Sequence, residues 1–196
     1  AVQPESGHVK AWVGGINHKH FKYDHVNRRA RRQVGSTFKP IVYATAIDIN
    51  QMTPCTEFPR ERTTFFSGGQ EWSPRNADGK SGGVWTMSRG LAQSDNLITA
   101  QVMKSLGDDA PDIVVKFAER VGIEANRIPK VPSICLGTME LSPFEMASAY
   151  SAFANNGLWV EPTFLLRIED KNGNILEDFN QPKTDQVLSA EKAYMM

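Results

Sequence analysis

A serine and a lysine three residues apart stand at the head of one apolar, helix-periodic run. No other feature constrains the fold of this chain as strongly. From Ser36 the sequence reads Ser-Thr-Phe-Lys-Pro-Ile-Val-Tyr-Ala-Thr-Ala-Ile-Asp-Ile. Phe38, Ile41, Val42, Thr45, Ala46 and Ile49 fall on one helical stripe, which predicts a helix ending near 49–51 with that stripe in the core. Ser36 and Lys39 lie off the stripe and share a face, one above the other. A hydroxyl is a poor nucleophile without an adjacent base. A lysine amine can be that base when burial or neighbouring positive charge pulls its pKa down. The start of a helix also offers free N–H groups and partial positive charge to a developing oxyanion. Gly35, just before the serine, lets the backbone approach closely.

A second element follows 58 residues later (94 minus 36), Ser94-Asp95-Asn96. It falls in a turn between two short helical patterns, 86–93 and 97–106. Residues two apart in such a turn point the same way, so Ser94 and Asn96 would share a face. Asp95 would point away, as a structural turn residue. A hydroxyl there can relay a proton to a leaving amine, and an amide can hold a substrate carbonyl. Alone, either motif is common. A helix-capping serine beside a solvated lysine accounts for most instances of the first.

The two motifs in this order, with a Lys-Thr-Gly element, form a known signature of penicillin-binding proteins and class A β-lactamases. The chain resembles the transpeptidase domain of class A (bifunctional) penicillin-binding proteins, and the resemblance covers nearly all of it. Glu5-Ser6-Gly7-His8-Val9-Lys10-Ala11-Trp12-Val13-Gly14-Gly15 is similar to that family's opening hairpin strand. Asn27-Arg28-Arg29-Ala30 and Arg31-Arg32-Gln33-Val34-Gly35-Ser36 resemble its approach to the nucleophile. Trp72-Ser73-Pro74-Arg75-Asn76 resembles the groove segment ahead of the second motif. Ser142-Pro143-Phe144-Glu145-Met146-Ala147 and Phe153-Ala154-Asn155-Asn156-Gly157 resemble a late helix.

The resemblance implies an α/β fold of the penicillin-binding protein/β-lactamase type. A sheet would come from the termini, with a helical lobe over about 84–157 and the serine at their junction. Ser36 would be the acylated nucleophile and Lys39 its base. Ser94 would shuttle protons, and Asn96 would bind the donor peptide's amide. Gly35, Trp72 and Asn76 would complete the substrate groove. The substrates implied are peptidoglycan stem peptides, a D-Ala-D-Ala donor and an amine acceptor, with β-lactams acylating the same serine. No cofactor is implied. A membrane anchor is expected upstream, on the extracytoplasmic, periplasmic face, with a glycosyltransferase also upstream. The deacylating Glu-x-x-Leu-Asn motif of class A β-lactamases is not found after the second motif. A D,D-carboxypeptidase or β-lactamase, and a non-catalytic β-lactam-sensing or scaffold domain, are the alternatives.

The Lys-Thr-Gly element is missing. Lys80-Ser81-Gly82 precedes Ser94 in a Gly-rich loop, and Lys183-Thr184-Asp185 ends in Asp after Pro182, in a turn-like stretch. Truncation is the expected cause, so residues 1–196 read as one partial transpeptidase domain. Such a chain is expected to be weakly active or inactive, because losing one oxyanion donor costs about 10²–10³ in rate.

The 22 basic residues match 22 acidic ones, which argues against general nucleic-acid binding. Arg28, Arg29, Arg31 and Arg32 form a basic cluster, read as a solvated face or internal salt bridges, with an anion contact near the serine as the sharper alternative. No run of 18 apolar residues is present. Cys55 and Cys135 are expected as free thiols. No zinc pattern exists, and His18, His20 and His25 read as a polar loop.

The remaining elements follow from local signals. Residues 9–13 predict a strand, and 52–83 a long irregular segment with one short strand at 63–66. A helix is expected over 111–121 with Pro111 at its first position, and another from the capping box Ser142-Pro143-Phe144-Glu145. Residues 164–169 and 174–179 flank Asn172-Gly173, a type I′ hairpin signal.

Overall fold

The structure is a computed structural model that describes residues 1–196. The chain divides into two compact units. One comprises Arg32–Glu119, Glu124–Glu140 and Tyr194–Met196, and the other Ala1–Arg31, Arg120–Ile123 and Leu141–Ala193. Helices and short paired strands occur in both, so the chain is a mixed helix-and-sheet protein.

The first unit is built on helix α1, Lys39–Asn50, which a 3₁₀ turn at Gly35–Phe38 feeds. The sequence predicts a one-sided helix, but α1 is buried nearly all round: Lys39 and every residue from Ile41 to Ile47 are buried, whereas Ile49 is exposed. Short Ala44 and Ala46 between larger apolar residues let neighbours close on several sides, the condition for a central helix. Thr45 satisfies its buried hydroxyl by donating to Ile41 O at 2.7 Å. Gln51, in a left-handed conformation at φ 52°, ends the helix. Each fully buried Ile or Val adds roughly 1.5–3 kcal/mol.

Helices α2 (Met87–Ala92) and α3 (Asn96–Ser105) pack against α1. Thr86 caps α2 by accepting from Arg89 N, and Asp95 caps α3 by accepting from Ile98 N. Helix α4 (Ala110–Arg120) buries Val114, Val115, Phe117 and Ala118, and Pro111 occupies its second position rather than its first. The segment 52–83 is more ordered than its Pro- and Gly-rich composition predicts. Glu57–Pro59 pairs antiparallel with Val84–Thr86, and Phe65–Ser67 pairs with Gln70–Trp72 across Gly68-Gly69.

In the second unit, helix α5 (Pro143–Ala154) opens on the predicted capping box, with both Ser142 and Glu145 engaged. Residues 9–13 do not form the expected strand. Val9 bridges only Val2, and His8 only Thr163, because no neighbouring segment offers a continuous row of partners. Arg167–Glu169 pairs with Ile175–Asp178 as predicted, but the turn is not type I′. Only Gly173 is left-handed, at φ 86°, and Asn172 is not; Asp170 Oδ1 closes the loop instead, accepting from Asn172 N at 2.7 Å and Asn174 N at 2.9 Å. Lys183-Thr184-Asp185 is not turn-like: Thr184–Gln186 pairs with Leu158–Val160, and Asp185 is bound by Arg120 at 3.0 Å. The last helix, α6, is Ala190–Tyr194. No helix is long and apolar enough to cross a membrane. Arg28, Arg29, Arg31 and Arg32 are all exposed.

Candidate active site

Ser36 sits in the 3₁₀ turn with its side chain exposed. Two backbone bonds pin the approach to it, Val34 N to Met139 O at 3.1 Å and Gly35 N to Gly137 O at 2.9 Å. The close approach that the sequence assigns to Gly35 belongs to Gly137 instead. A Cβ on Gly137 would lie 1.9 Å from Gly35 O, whereas one on Gly35 would meet nothing within 4 Å. Gly35 is needed for its positive φ of 55°. Gly137 ends the 3₁₀ turn Pro132–Leu136 in a left-handed conformation, and that Leu-Gly boundary is the signal sequence reasoning could have used.

The 3₁₀ geometry places residues three apart in eclipse, so Ser36 and Lys39 are stacked more directly than an α-helix would stack them. Lys39 is 1% exposed. Its Nζ donates to Ser94 O at 2.5 Å, to Ser94 Oγ at 3.2 Å and to Asn96 Oδ1 at 2.7 Å. Three acceptors match the three protons of an ammonium. Burial nevertheless pulls the lysine pKa down to about 8, against an opposing pull from the Asp95 carboxylate. About a tenth of the amine is therefore neutral at pH 7, compared with well under a thousandth for a free lysine.

The turn that receives Lys39 is shaped by a non-glycine residue in a glycine conformation. Ser94 has φ 52°. That geometry costs about 1 kcal/mol and turns both its carbonyl and its hydroxyl toward the amine. The flanking bonds Ser94 N to Leu91 O and Asp95 N to Gly90 O lock it. Nothing in the residue types around Ser94 announces this.

Asp95 points away from Lys39's three acceptors, as its position between Ser94 and Asn96 predicts, and is buried. Its Oδ1 accepts from Ile98 N at 2.9 Å. Its Oδ2 accepts from Arg60 Nε at 2.6 Å and Asn76 Nδ2 at 2.8 Å. Asn96 donates its Nδ2 to Arg75 O at 2.9 Å, which leaves its Oδ1 facing Lys39. The structure thus brings Lys39, Ser94, Asn96 and Asn76 together, one turn from Ser36. Trp72 makes no hydrogen bond in this cluster; its ring lies 5.4 Å from Phe65, within the hairpin. Arg60 is the residue sequence reasoning missed. A buried arginine needs an acidic partner, but 35 residues separate it from Asp95. No group of three or more His, Cys, Asp or Glu side chains is arranged to hold a metal ion.

The arrangement sets a buried amine of lowered basicity against the Ser94 hydroxyl, with the exposed Ser36 hydroxyl one turn earlier in the chain. Such a set can take a proton from one oxygen and return it to another group.

A family model described as the penicillin binding protein transpeptidase domain matches residues 1–196. Penicillin-binding protein 1A of Vibrio cholerae is 35% identical over 177 residues, 89% of this chain and 21% of that protein. Penicillin-binding protein 2D of Bacillus subtilis is 37% identical over 199 residues, 100% of this chain and 28% of that protein. Among solved structures, penicillin-binding protein 1A from Haemophilus influenzae matches 99% of this chain and 33% of its own at a TM-score of 0.85 and 25% identity. The PonA1 protein of Mycobacterium tuberculosis, solved in complex with penicillin V, shares the fold at a TM-score of 0.78 and 24% identity, covering 98% of this chain and 51% of its own. The chain spans only a fifth to somewhat over a quarter of the curated relatives it matches.

Proposed function

Because the chain belongs to the penicillin-binding protein transpeptidase family, in its class A branch, we propose that it is a serine D,D-transpeptidase acting on peptidoglycan stem peptides. The observation that carries this reading is the buried Lys39 amine, gripped by Ser94 and Asn96 and placed one turn after exposed Ser36.

Ser36 Oγ attacks the carbonyl of the penultimate D-Ala, and its proton passes to neutral Lys39. A bond forms between Ser36 Oγ and that carbon. The carbon–nitrogen bond to the terminal D-Ala then breaks. The proton returns from Lys39 through the Ser94 hydroxyl to the departing amine, so the enzyme ends as a neutral ester. The amine of a neighbouring stem peptide next attacks the ester carbonyl and loses a proton by the same route, and the Ser36 hydroxyl is restored. Asn96 holds the donor's backbone amide and keeps its Oδ1 on Lys39 while the amine is charged. The N-terminal turn of α1 adds partial positive charge near the developing oxyanion. A β-lactam enters the first half of the same sequence and remains on Ser36.

Residues 1–196 are read as one transpeptidase domain with residues 84–157 as its helical lobe. Its substrates lie outside the cytoplasm, so the proposed location is extracytoplasmic, with attachment to the membrane through a segment other than those described. Asn76 has its amide protons on Asp95 and Lys80 O and its carbonyl on Asn96 N. Mass spectrometry of the intact chain after incubation with a penicillin tests the reading. Because no Lys-Thr-Gly element is present, the expected result is one slowly forming adduct, mapping to Ser36 and absent from Ser36→Ala. An adduct that persists in Ser36→Ala, or no adduct on the unaltered chain, overturns it.

A further inference from the structure

Lys39 is held entirely by the two residues that flank Asp95 in sequence, Ser94 and Asn96. We propose that Asp95, gripped by Arg60 and Asn76, is a positioning residue for Lys39, and that Asn76 serves this grip rather than the substrate. The inference rests on the transpeptidase reading of the same site and adds residues to it.

Every polar atom of the Asp95 side chain has a partner. Oδ1 caps α3 at Ile98 N, and Oδ2 takes both Arg60 Nε and Asn76 Nδ2. Its backbone is held on both sides, its N–H by Gly90 O and its carbonyl by Thr99 Oγ1 at 2.7 Å. Asn76 then reaches past Asp95 to the next residue, its Oδ1 accepting from Asn96 N at 2.8 Å. Its second amide proton goes to Lys80 O at 3.0 Å. With both protons and the carbonyl engaged, Asn76 has little left to offer a ligand and is shaped as a bracket. Arg75 O, one residue earlier than Asn76, takes one Asn96 amide proton and so decides which end of that amide meets Lys39, leaving the second proton for a ligand.

Arg60 is aimed by a separate set of contacts. Its backbone bonds to Gly83 O and Gly82 N, and its guanidinium lies 4.3 Å from the centre of the Trp85 ring, with Arg89 4.0 Å away from the same ring. A guanidinium stacked on an indole is restrained in orientation as well as position. The bracket therefore runs from the Trp85 ring through Arg60 and Asp95 to the turn under Lys39.

The charges decide a measurable sign. The titratable groups facing Lys39 are Asp95, at the cap of α3, and Cys135, in the Pro132–Leu136 turn. Tyr43, on α1 itself, faces the same two groups and is kept neutral by burial, which pushes its phenol far up. The charges facing Asp95 are Arg60, in direct contact with it, and Lys39 itself. Replacing Asp95 by Asn removes the one nearby carboxylate that favours the ammonium and leaves Arg60 uncompensated. Both changes make Lys39 less basic. A loosened, wetter site would make it more basic, so direction separates the two causes.

Two variants of the full chain test this, Asp95→Asn and Asn76→Ala, with Lys39 followed by NMR titration of ¹³C-labelled lysine and Ser36 followed by penicillin acylation across pH. Asp95→Asn is expected to lower at least tenfold the plateau rate of acylation reached above the Lys39 midpoint, whichever way the midpoint moves. An undiminished plateau rate overturns the proposal. Asn76→Ala keeps the charges and is expected to slow acylation at least tenfold with a midpoint near that of the unaltered chain. An undiminished rate overturns the proposal even if Asp95→Asn does not fold. If the unaltered chain forms no adduct, the transpeptidase reading fails, while the NMR midpoints still decide whether Asp95 governs Lys39.

Discussion

Lys39 Nζ donates to Asn96 Oδ1 at 2.7 Å across 57 positions of sequence. That contact joins the head of α1 to the head of α3, the two helices whose packing forms the centre of the first unit. Burial of the amine and assembly of the site are thus one event. The same packing that stabilises the helices removes water from Lys39 and lowers its affinity for a proton.

Acylation of Ser36 should rise with pH about tenfold per unit below pH 8 and level off above it, because the neutral amine of Lys39, with its pKa near 8, is the active form. Gel labelling with a fluorescent penicillin from pH 5.5 to 9.5 measures this. Lys39→Arg, which cannot deprotonate, should label at least a thousandfold more slowly at every pH.

The same group leaves a second footprint, on stability, in a higher pH window. In the unfolded chain Lys39 titrates near 10.5, and in the folded chain near 8. Between these values the unfolded state binds more protons, so stability should increase with pH across that window. Below pH 8 both states are protonated and the burden of the buried ammonium is constant. Urea midpoints at pH 7.5 and 9.5 check this, and Lys39→Met should abolish the Lys39 part of the difference.

Gly137→Ala and Gly35→Ala should differ sharply although both glycines are left-handed. At Gly137 the new methyl would collide with the Gly35 carbonyl, so a loss of roughly 2–4 kcal/mol is expected. At Gly35 no atom lies within 4 Å, and only the positive φ is penalised, by about 1 kcal/mol. Chemical denaturation measures both. Equal losses would show that steric approach is not what Gly137 provides.

The two thiols should react at very different rates. Cys55 is exposed, whereas Cys135 is fully buried and burial pushes its thiol up to about 12. One equivalent of a disulfide reagent should be consumed quickly in the native chain and the second only with unfolding. Two fast equivalents would contradict the burial of the Pro132–Leu136 turn.

Ser142→Ala should destabilise the second unit by about 1–2 kcal/mol. The Ser142 hydroxyl both accepts from Glu145 N at 3.2 Å and donates to Glu145 Oε2 at 2.8 Å, all of it buried. Thermal melting of the variant, which is expected to fall by several degrees, tests the capping box.

Local signals were legible where a residue pair decides the geometry alone. The helix at 39–50, the capping box at Ser142 and Glu145 and the pair of strands around Asn172-Gly173 all follow from neighbours within four residues. The strand expected at 9–13 failed because a strand needs a partner, and no local pattern supplies one. The short ladders within 57–86 were obscured for the converse reason: their Pro and Gly content reads as loop, while pairing between distant segments gives them order. The turn at Asn172 is organised by the Asp170 carboxylate, which accepts from Asn172 N and Asn174, and not by the dipeptide alone.

Sequence alone determined that the Ser36 hydroxyl and the Lys39 amine stand three residues apart at a helix head, a placement fixed by covalent spacing and helical geometry. It also fixed the family, through motifs spread along the chain. Only tertiary structure decided what those groups are worth. The depressed basicity of Lys39, the left-handed Ser94, the engagement of Asn76 and the partnership of Arg60 with Asp95 all depend on segments far apart in sequence. Solvent exclusion and the direction of a hydrogen bond are properties of what packs against a residue, and the order of residues along the chain does not contain them.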